Sequence, residues 1–298
     1  MKMGYYPGCS IGGSSREYGE SLLAVAAELD LQLEAVTDWN CCGASAAHNL
    51  NKKLSLALPA RNLGLAEKQQ FAELLVPCAA CFSRLAATRI ELEEDDALRS
   101  EIEGVIEMPL GRMPQALNIL DLLQRIFPPE LNGRLRKPFA YKVACYYGCL
   151  LVRPPRIARF DRVEDPQVMD EIMRRIGADP IEWAFKTECC GAGLSIPRTD
   201  LVGKLGGKIL EDAVSRGAEA IIVACPMCHS NLDMRRSAIN KALGKKYDIP
   251  ILYITQAIGL ALGLEPKKLG LHRHIVPVRL PERAAKPVLK PVSAQEES

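Results

Sequence analysis

The stretch that decides the fold is "ELLVPCAAC", residues 73–81, together with its second version, "AIIVACPMC", at 220–228. Each is a short apolar run that stops at a Cys-x-x-Cys. A run of that length bounded by a break reads as a buried strand. Two further strand-like openings resemble each other, "MKMGYYPGC" (1–9) and "YKVACYYGC" (141–149). "QLEAVTDWNCC" (32–42) and "IEWAFKTECC" (181–190) are expected as strands that end at an adjacent cysteine pair. Between them lie helical patterns. In "SREYGESLLAVAAELD" apolar residues recur at helical spacing from Leu22 to Leu29. "TDLVGKLGGKILEDAVSRGAE" is a helix with Thr199 or Asp200 as its cap and Gly217 at its end; its first-half counterpart runs from Asn51 to about Glu73.

Strand, helix, strand with short turns predicts α/β units with mainly parallel sheets. In such sheets ligands gather outside the carboxyl ends of the strands. Three loops per half would then bring five thiols to one place.

The cysteines make the repeat explicit. There are eleven in 298 residues. One series is Cys9, Cys41, Cys42, Cys78 and Cys81; the other is Cys149, Cys189, Cys190, Cys225 and Cys228. A lone Cys after a tyrosine pair is followed by Cys-Cys-Gly-Ala after 31 residues in one half and 39 in the other, then by Cys-x-x-Cys after 35 and 34. Corresponding cysteines lie 140 to 148 residues apart, the mark of an internal duplication. Cys145 is the eleventh and has no partner in the first half. It shares a predicted strand and an even spacing with Cys149, which places both on one face, and it reads as a buried spectator thiol.

Composition excludes several classes. The hydrophobic fraction is 48% and the charged fraction 25%, an ordinary soluble mix, and the net charge of +2 argues against nucleic-acid binding. No apolar run is long enough to span a bilayer, and the start lacks the apolar core of a signal peptide, so a cytoplasmic protein is expected. In that reducing compartment an odd number of cysteines is not a disulfide framework. A structural zinc takes four ligands, and an ordinary iron–sulfur cubane is held by four thiolates; five per half exceeds both. Soft ligands in that number favour a redox iron–sulfur centre over zinc.

Residues 89–137 do not repeat cleanly. "ELEEDDALRSEIEGVIE" reads as a solvated helix face, "QALNILDLLQRIF" as a helix and "PPELNGRLRKP" as the connector. The organisation expected is a first unit over 1–137, a second over 138–270, and a basic, proline-rich tail over 271–298, extended or disordered after about Arg279.

The duplicated cysteine pattern resembles the cysteine-rich "CCG" family. With "YYPGCS" at the start, "GCLLVRP" at 148–154 and "ITQAIGLALGLEPKKLGLHRH" near the end, the chain resembles the B subunit of heterodisulfide reductase from Met1 to about Val276. The resemblance implies two Rossmann-like halves related by a pseudo-twofold. It implies two noncubane [4Fe-4S] clusters, one on each five-cysteine set, with a disulfide cleaved or formed between them. It also implies two partners, a ferredoxin-like C subunit together with a flavin-containing A subunit, and a small-molecule or protein-bound disulfide as substrate. The chain itself carries no ferredoxin-type cysteine run and no G-x-G-x-x-G loop, so no flavin or nicotinamide is expected on it. A non-catalytic electron-transfer subunit of a larger oxidoreductase is the competing reading.

Other residues carry weaker signals. Gly43 and Gly191 follow the cysteine pairs and suit a tight turn close to a cluster. His229, next to Cys228, is either a partner of cluster sulfur, a proton donor or a surface histidine. His48, His272 and His274 rank below it. Tyr5, Tyr6, Tyr146 and Tyr147 either orient sulfur or pack. Pro226 stiffens the loop between two cysteines.

Overall fold

The computed structural model describes residues 2–44, 46–127 and 133–282. The first half runs β1 (Lys2–Tyr5), α1 (Gly8–Gly12), α2 (Arg16–Glu28), β2 (Gln32–Ala35), α3 (Ala47–Leu50), α4 (Lys52–Lys68), β3 (Glu73–Leu75), α5 (Ala79–Glu94), α6 (Asp96–Ile106), β4 (Gln115–Leu117) and α7 (Ile119–Ile126). The second runs β5 (Lys142–Tyr146), α8 (Pro155–Ala158), α9 (Val168–Arg175), β6 (Asp179–Pro180), α10 (Thr199–Ser215), β7 (Ala220–Val223), α11 (Pro226–Asp233), α12 (Arg236–Leu243), β8 (Ile251–Tyr253) and α13 (Ile254–Ala261). Each half builds a four-stranded, all-parallel sheet, in the orders β2-β1-β3-β4 and β6-β5-β7-β8. The α/β class with mainly parallel sheets is therefore as expected. The central strands are apolar after a charged first residue in β1, β3 and β5, and all four residues of β7 are buried, as helices on both faces require. The order reverses between β1 and β3, and again between β5 and β7. The crevice at such a reversal is where ligands bind in open α/β sheets.

Several local expectations are corrected. The strand before Cys41 stops at Ala35, and Asp38 takes a left-handed backbone that ends any extension. Its counterpart β6 spans only Asp179–Pro180. Trp183 spends its indole N–H on the Cys145 carbonyl, 3.2 Å away, and the chain runs on to Cys189 as an irregular loop. "QALNILDLLQRIF" is not one helix. Its first three residues are β4, and Asn118 then caps α7, accepting from the N–H groups of Leu120 and Asp121 while Asp121 accepts from the Asn118 N–H. This strand–helix unit repeats as β8–α13, so the duplication reaches further into 89–137 than the cysteines indicate. Helix α4 ends at Lys68, and Glu73 opens β3. Helix α10 starts on Arg198 with no side-chain cap; Asp200 instead pairs with the Arg198 guanidinium. Gly217 does follow that helix, in the left-handed region.

The two halves pack reciprocally. Helix α2 of the first lies against α13 of the second, and α7 of the first lies against α9 of the second. Each element meets the other half's version of its own neighbour, the pattern of a pseudo-twofold axis. At the α2–α13 contact Tyr18 stacks on Tyr253 at 4.2 Å, and Ser21 and Thr255 share a hydroxyl hydrogen bond of 2.7 Å. One apolar core runs from β1 through β7 to α13 and so through both halves.

Candidate metal centre

The ten repeated cysteines come together as two sets at the carboxyl ends of the strands. In each half one cysteine follows the first strand, the adjacent pair lies in the loop after the second, and the Cys-x-x-Cys bridges the third strand and the next helix. In the first set Cys42 lies 3.1 Å from Cys81 and Cys41 lies 3.9 Å from Cys9, sulfur to sulfur. In the second, Cys190 lies 3.8 Å from Cys228. Cys9, Cys41 and Cys189 are exposed and Cys149 is half-buried, while the other six are buried. Each set is thus rooted in the core and open on one side.

The sets touch. Cys78 and Cys225, the equivalent first residues of the two Cys-x-x-Cys motifs, stand near enough for each to shift the other's ionisation. The Tyr18 hydroxyl sits beside that contact, 3.1 Å from the Ala224 carbonyl and 3.4 Å from that of Pro77. Those carbonyls immediately precede the two cysteines, so one side chain holds both turns.

Within the sets one cysteine of a hydrogen-bonded group is held as thiolate while its neighbours, Cys41, Cys78, Cys81, Cys149 and Cys228, are pushed up and keep their protons. Hydrogen bonds from Cys41 and Cys81 bring Cys42 down to about 3. Cys189 is lowered to about 6, first by Cys149 and then by the N–H groups of Gly191 and Ala192. Cys228 and Cys78 hold Cys225 well below the usual thiol range. A thiolate is the metal-binding form of cysteine.

Glycines shape the cradle. Gly8 and Gly148, each just before the lone cysteine, have left-handed backbones at φ +66 and +68. A Cβ on Gly8 would stand 3.3 Å from the Cys81 sulfur, and one on Gly148 2.9 Å from that of Cys228. Space beside the same sulfur is kept open twice. Gly43 and Gly191 make the expected tight turns, with left-handed backbones brought up against sulfur. Their N–H groups lie 3.4 and 3.3 Å from the sulfurs of Cys41 and Cys189, and their missing side chains leave room for Leu58 of α4 and Leu205 of α10. The donor set and the cradle fit thiolate-held iron, and each set exceeds the four ligands of a structural zinc.

The tyrosines orient the loop rather than the sulfur. Tyr6 donates to the Asn40 carbonyl at 2.7 Å, and Tyr146 donates to the Glu188 carbonyl at 2.5 Å, in each case the residue before the cysteine pair. Tyr6 and Tyr146 are therefore the equivalents, one position out of step with a match of the tyrosine pairs. By that register Cys145 takes the place of Tyr5. It is buried in the core, and β5 ends at Tyr146, so Cys149 lies past a glycine turn and not on the same strand face. Tyr147 turns to Asp170, 2.7 Å away, which is in turn paired with the buried Lys186.

His229 is buried, not a surface residue, and bonds no sulfur. Its Nε2 lies 3.2 Å from the Ile251 carbonyl and 3.4 Å from His274 Nδ1. Asp233 and His274 complete a group whose ligand atoms lie within 4.8 Å of one another. Gln256 determines what that group does. Its Oε1 accepts from the Tyr253 N–H, so its Nε2 donates to His274 Nε2, 2.8 Å away. The His274 proton then sits on Nδ1, facing His229, and neither ring nitrogen has a free lone pair. Asp233 accepts from the N–H groups of Ile275 and Val276, one on each carboxylate oxygen. The group is a hydrogen-bonded clasp for residues 274–276. Burial lowers His274 to about 4 and pushes His229 well below the usual histidine range. His272 and Arg273 lie on a short 3-10 turn, where Arg273 pairs with Glu20 of α2. The His48 side chain lies outside the described residues, as does the tail from 283.

Two cavities adjoin the cysteines. One, of about 210 Å³, is lined by the first set; the other, of about 280 Å³, by the second. Ala44, Ala80, Ala192 and Met227 line both, so a single wall separates two spaces of ligand size.

Comparison with known proteins agrees with this geometry. The family model for the CCG cysteine-rich domain matches twice, at residues 3–86 and 143–233. The chain is 30% identical over 244 residues to the B subunit of the ferredoxin:CoB-CoM heterodisulfide reductase of Methanosarcina mazei, covering 80% of this chain and 81% of that one. The chain belongs to the tandem CCG family of heterodisulfide reductase B subunits.

The chain is also similar to other proteins over most of its length. The 8-methylmenaquinol:fumarate reductase membrane anchor subunit of Wolinella succinogenes is 29% identical over 276 residues, covering 91% of this chain and 96% of that one. Among the described residues no helix is long and apolar enough to cross a membrane. A hypothetical protein from Helicobacter pylori has the same fold, with a TM-score of 0.76 at 12% identity over 93% of this chain, which spans about half (52%) of that structure.

Proposed function

We propose that this CCG protein is the catalytic iron–sulfur subunit of a heterodisulfide reductase-like complex. In this reading Cys9, Cys41, Cys42, Cys78 and Cys81 hold one noncubane [4Fe-4S] cluster, and Cys149, Cys189, Cys190, Cys225 and Cys228 hold the other. The observation that carries it is the meeting of the two cysteine sets at Cys78 and Cys225, with a cavity on each set and a shared wall between them. A substrate spanning that wall reaches both sets at once.

Splitting a disulfide takes two electrons and two protons and yields two thiols. Iron–sulfur clusters, when bound by the two cysteine sets, would supply the electrons. The chain's own part is to place the two sulfurs of the substrate. Gly43 and Gly191 steady one thiolate in each set through their N–H groups. Tyr6 and Tyr146 fix the paired-cysteine loops, and Tyr18 locks the two Cys-x-x-Cys turns together. Electrons come from other chains, a ferredoxin-like C subunit together with a flavin-containing A subunit, in keeping with relatives that are themselves named as subunits of larger enzymes. The complex is assigned to the cytoplasm, where thiolates stay reduced.

The near-full-length match to a fumarate reductase subunit supports a second reading, an electron-transfer role with no disulfide chemistry. One experiment separates the two. The anaerobically purified, cluster-loaded chain is given a reduced viologen dye and the CoB-CoM heterodisulfide or a simple alkyl disulfide. Catalysis predicts dye oxidation with release of two thiols per disulfide. Clusters that accept and return electrons while no disulfide is consumed would leave only the relay.

A further inference from the structure

The duplication makes the two cavities comparable position by position, and they differ. The residue after the lone cysteine is Ser10 in the first half and Leu150 in the second, and each lines the cavity of its own set. The residue three places after the last cysteine crosses over. Asn231, on α11 of the second half, lines the first-set cavity, and Arg84, on α5 of the first half, lines the second-set cavity. Besides its cysteines the first cavity is walled by four serines, Ser10, Ser14, Ser195 and Ser230, and has no basic side chain. The second has Leu150, Tyr147 and alanines beside its cysteines, and one basic side chain, Arg84.

Arg84 is half-buried. Among the described residues it has no hydrogen-bond or ion-pair partner, whereas other arginines at helix contacts, such as Arg89, Arg99 and Arg125, are paired with carboxylates. An arginine fork matches an oxyanion in two parallel hydrogen bonds, and a guanidinium facing an apolar cleft is only weakly satisfied by water. Asn231, by contrast, spends its amide on the Cys190 carbonyl at 2.9 Å.

Resting on the disulfide reading, we infer that Arg84 is the specificity-determining residue of the cleft. It seats the carboxylate, or another oxyanion, carried by one thiol half of the substrate, with that half's aliphatic part against Leu150 over the second cysteine set. The other half, small and polar, lies among the serines of the first cavity. The cleft therefore binds an unsymmetrical substrate in one orientation, and the asymmetry arises from two positions at which the copies have diverged.

The test is calorimetric binding of two probes of similar size to the oxidised, cluster-loaded full chain: 3,3′-dithiodipropionate, which is anionic, and bis(2-hydroxyethyl) disulfide, which is neutral. The wild-type chain is expected to prefer the anionic probe by about tenfold or more, the worth of one charge-assisted hydrogen-bonded contact. Arg84→Gln is expected to lose that preference by weakening the anionic probe alone, with iron content unchanged, and Arg84→Lys to restore part of it. Binding of neither probe by the wild type, no preference, or a preference that survives in Arg84→Gln would overturn the inference. So would equal weakening of both probes with loss of iron, which would make Arg84 a counter-charge for the metal centre. Dye-driven turnover of both probes is measured alongside. A wild-type chain that prefers the anionic probe yet turns over neither would retain the role of Arg84 and remove the disulfide chemistry.

Discussion

Gly148 and Gly217 share a left-handed backbone but not an environment. A Cβ on Gly148 would meet the Cys228 sulfur at 2.9 Å, while one on Gly217 would meet nothing within 4 Å. An alanine at either position bears the backbone cost, about 1–2 kcal/mol. Only at 148 is a crowding cost of about 1–3 kcal/mol added. Gly148→Ala is therefore expected to lower the unfolding midpoint more than Gly217→Ala and to reduce bound iron, which Gly217→Ala leaves intact. Equal effects in denaturant titration and equal iron would mean that the glycine serves the turn alone. The same contrast explains what the sequence could and could not reveal at this scale. Spacing identified the ten cysteines as two sets. It did not reveal that the glycine before the lone cysteine faces sulfur while the glycine after the pair faces a helix, because both readings give the same letter. Nor did it reveal the burial of His229, since a single histidine beside a cysteine carries no periodicity.

At the scale of elements, helix periodicity was legible and short strands were not. Helix α2 followed from its apolar spacing. β4 was absorbed into a predicted helix because "QAL" has no strand pattern of its own; pairing with β3 makes it a strand. The Asn118–Asp121 capping box was readable in the letters and would have divided the segment. The segment after α13 is held by the His274 clasp, and this makes its attachment depend on pH. His274 falls to about 4 in the fold from an ordinary value of 6.5. Between those values the unfolded chain binds more protons than the folded one, so stability is full above about pH 6.5 and is lost as pH falls toward 4. That difference corresponds to about 3 kcal/mol at most. Glu17 and Asp233, raised by burial, work in the opposite direction at the acid end. The difference between wild type and His274→Gln isolates the histidine. Unfolding midpoints at pH 7, 5 and 4 are expected to fall less steeply in the variant. Parallel slopes would place the acid sensitivity elsewhere.

At the scale of the molecule, the fold is an answer to one geometrical problem, how to hold two thiol-rich sites face to face. A duplicated parallel sheet puts cysteines at its switch point, and reciprocal packing of α2 on α13 and α7 on α9 turns two such points toward each other. The duplication was visible in cysteine spacing alone. The contact of Cys78 with Cys225 was not, because no sequence pattern records which faces of two domains meet. In the proposed reading that contact lets one substrate reach both sets, and the reading presupposes that both sets hold clusters. The most direct test is the iron, acid-labile sulfide and zinc content of the anaerobically purified full chain, beside the Cys190→Ser variant. About eight irons and eight sulfides per chain, falling to about four of each in the variant, is the result expected of two thiolate-held four-iron clusters. One or two zincs with no sulfide, or full iron retained in Cys190→Ser, would contradict it.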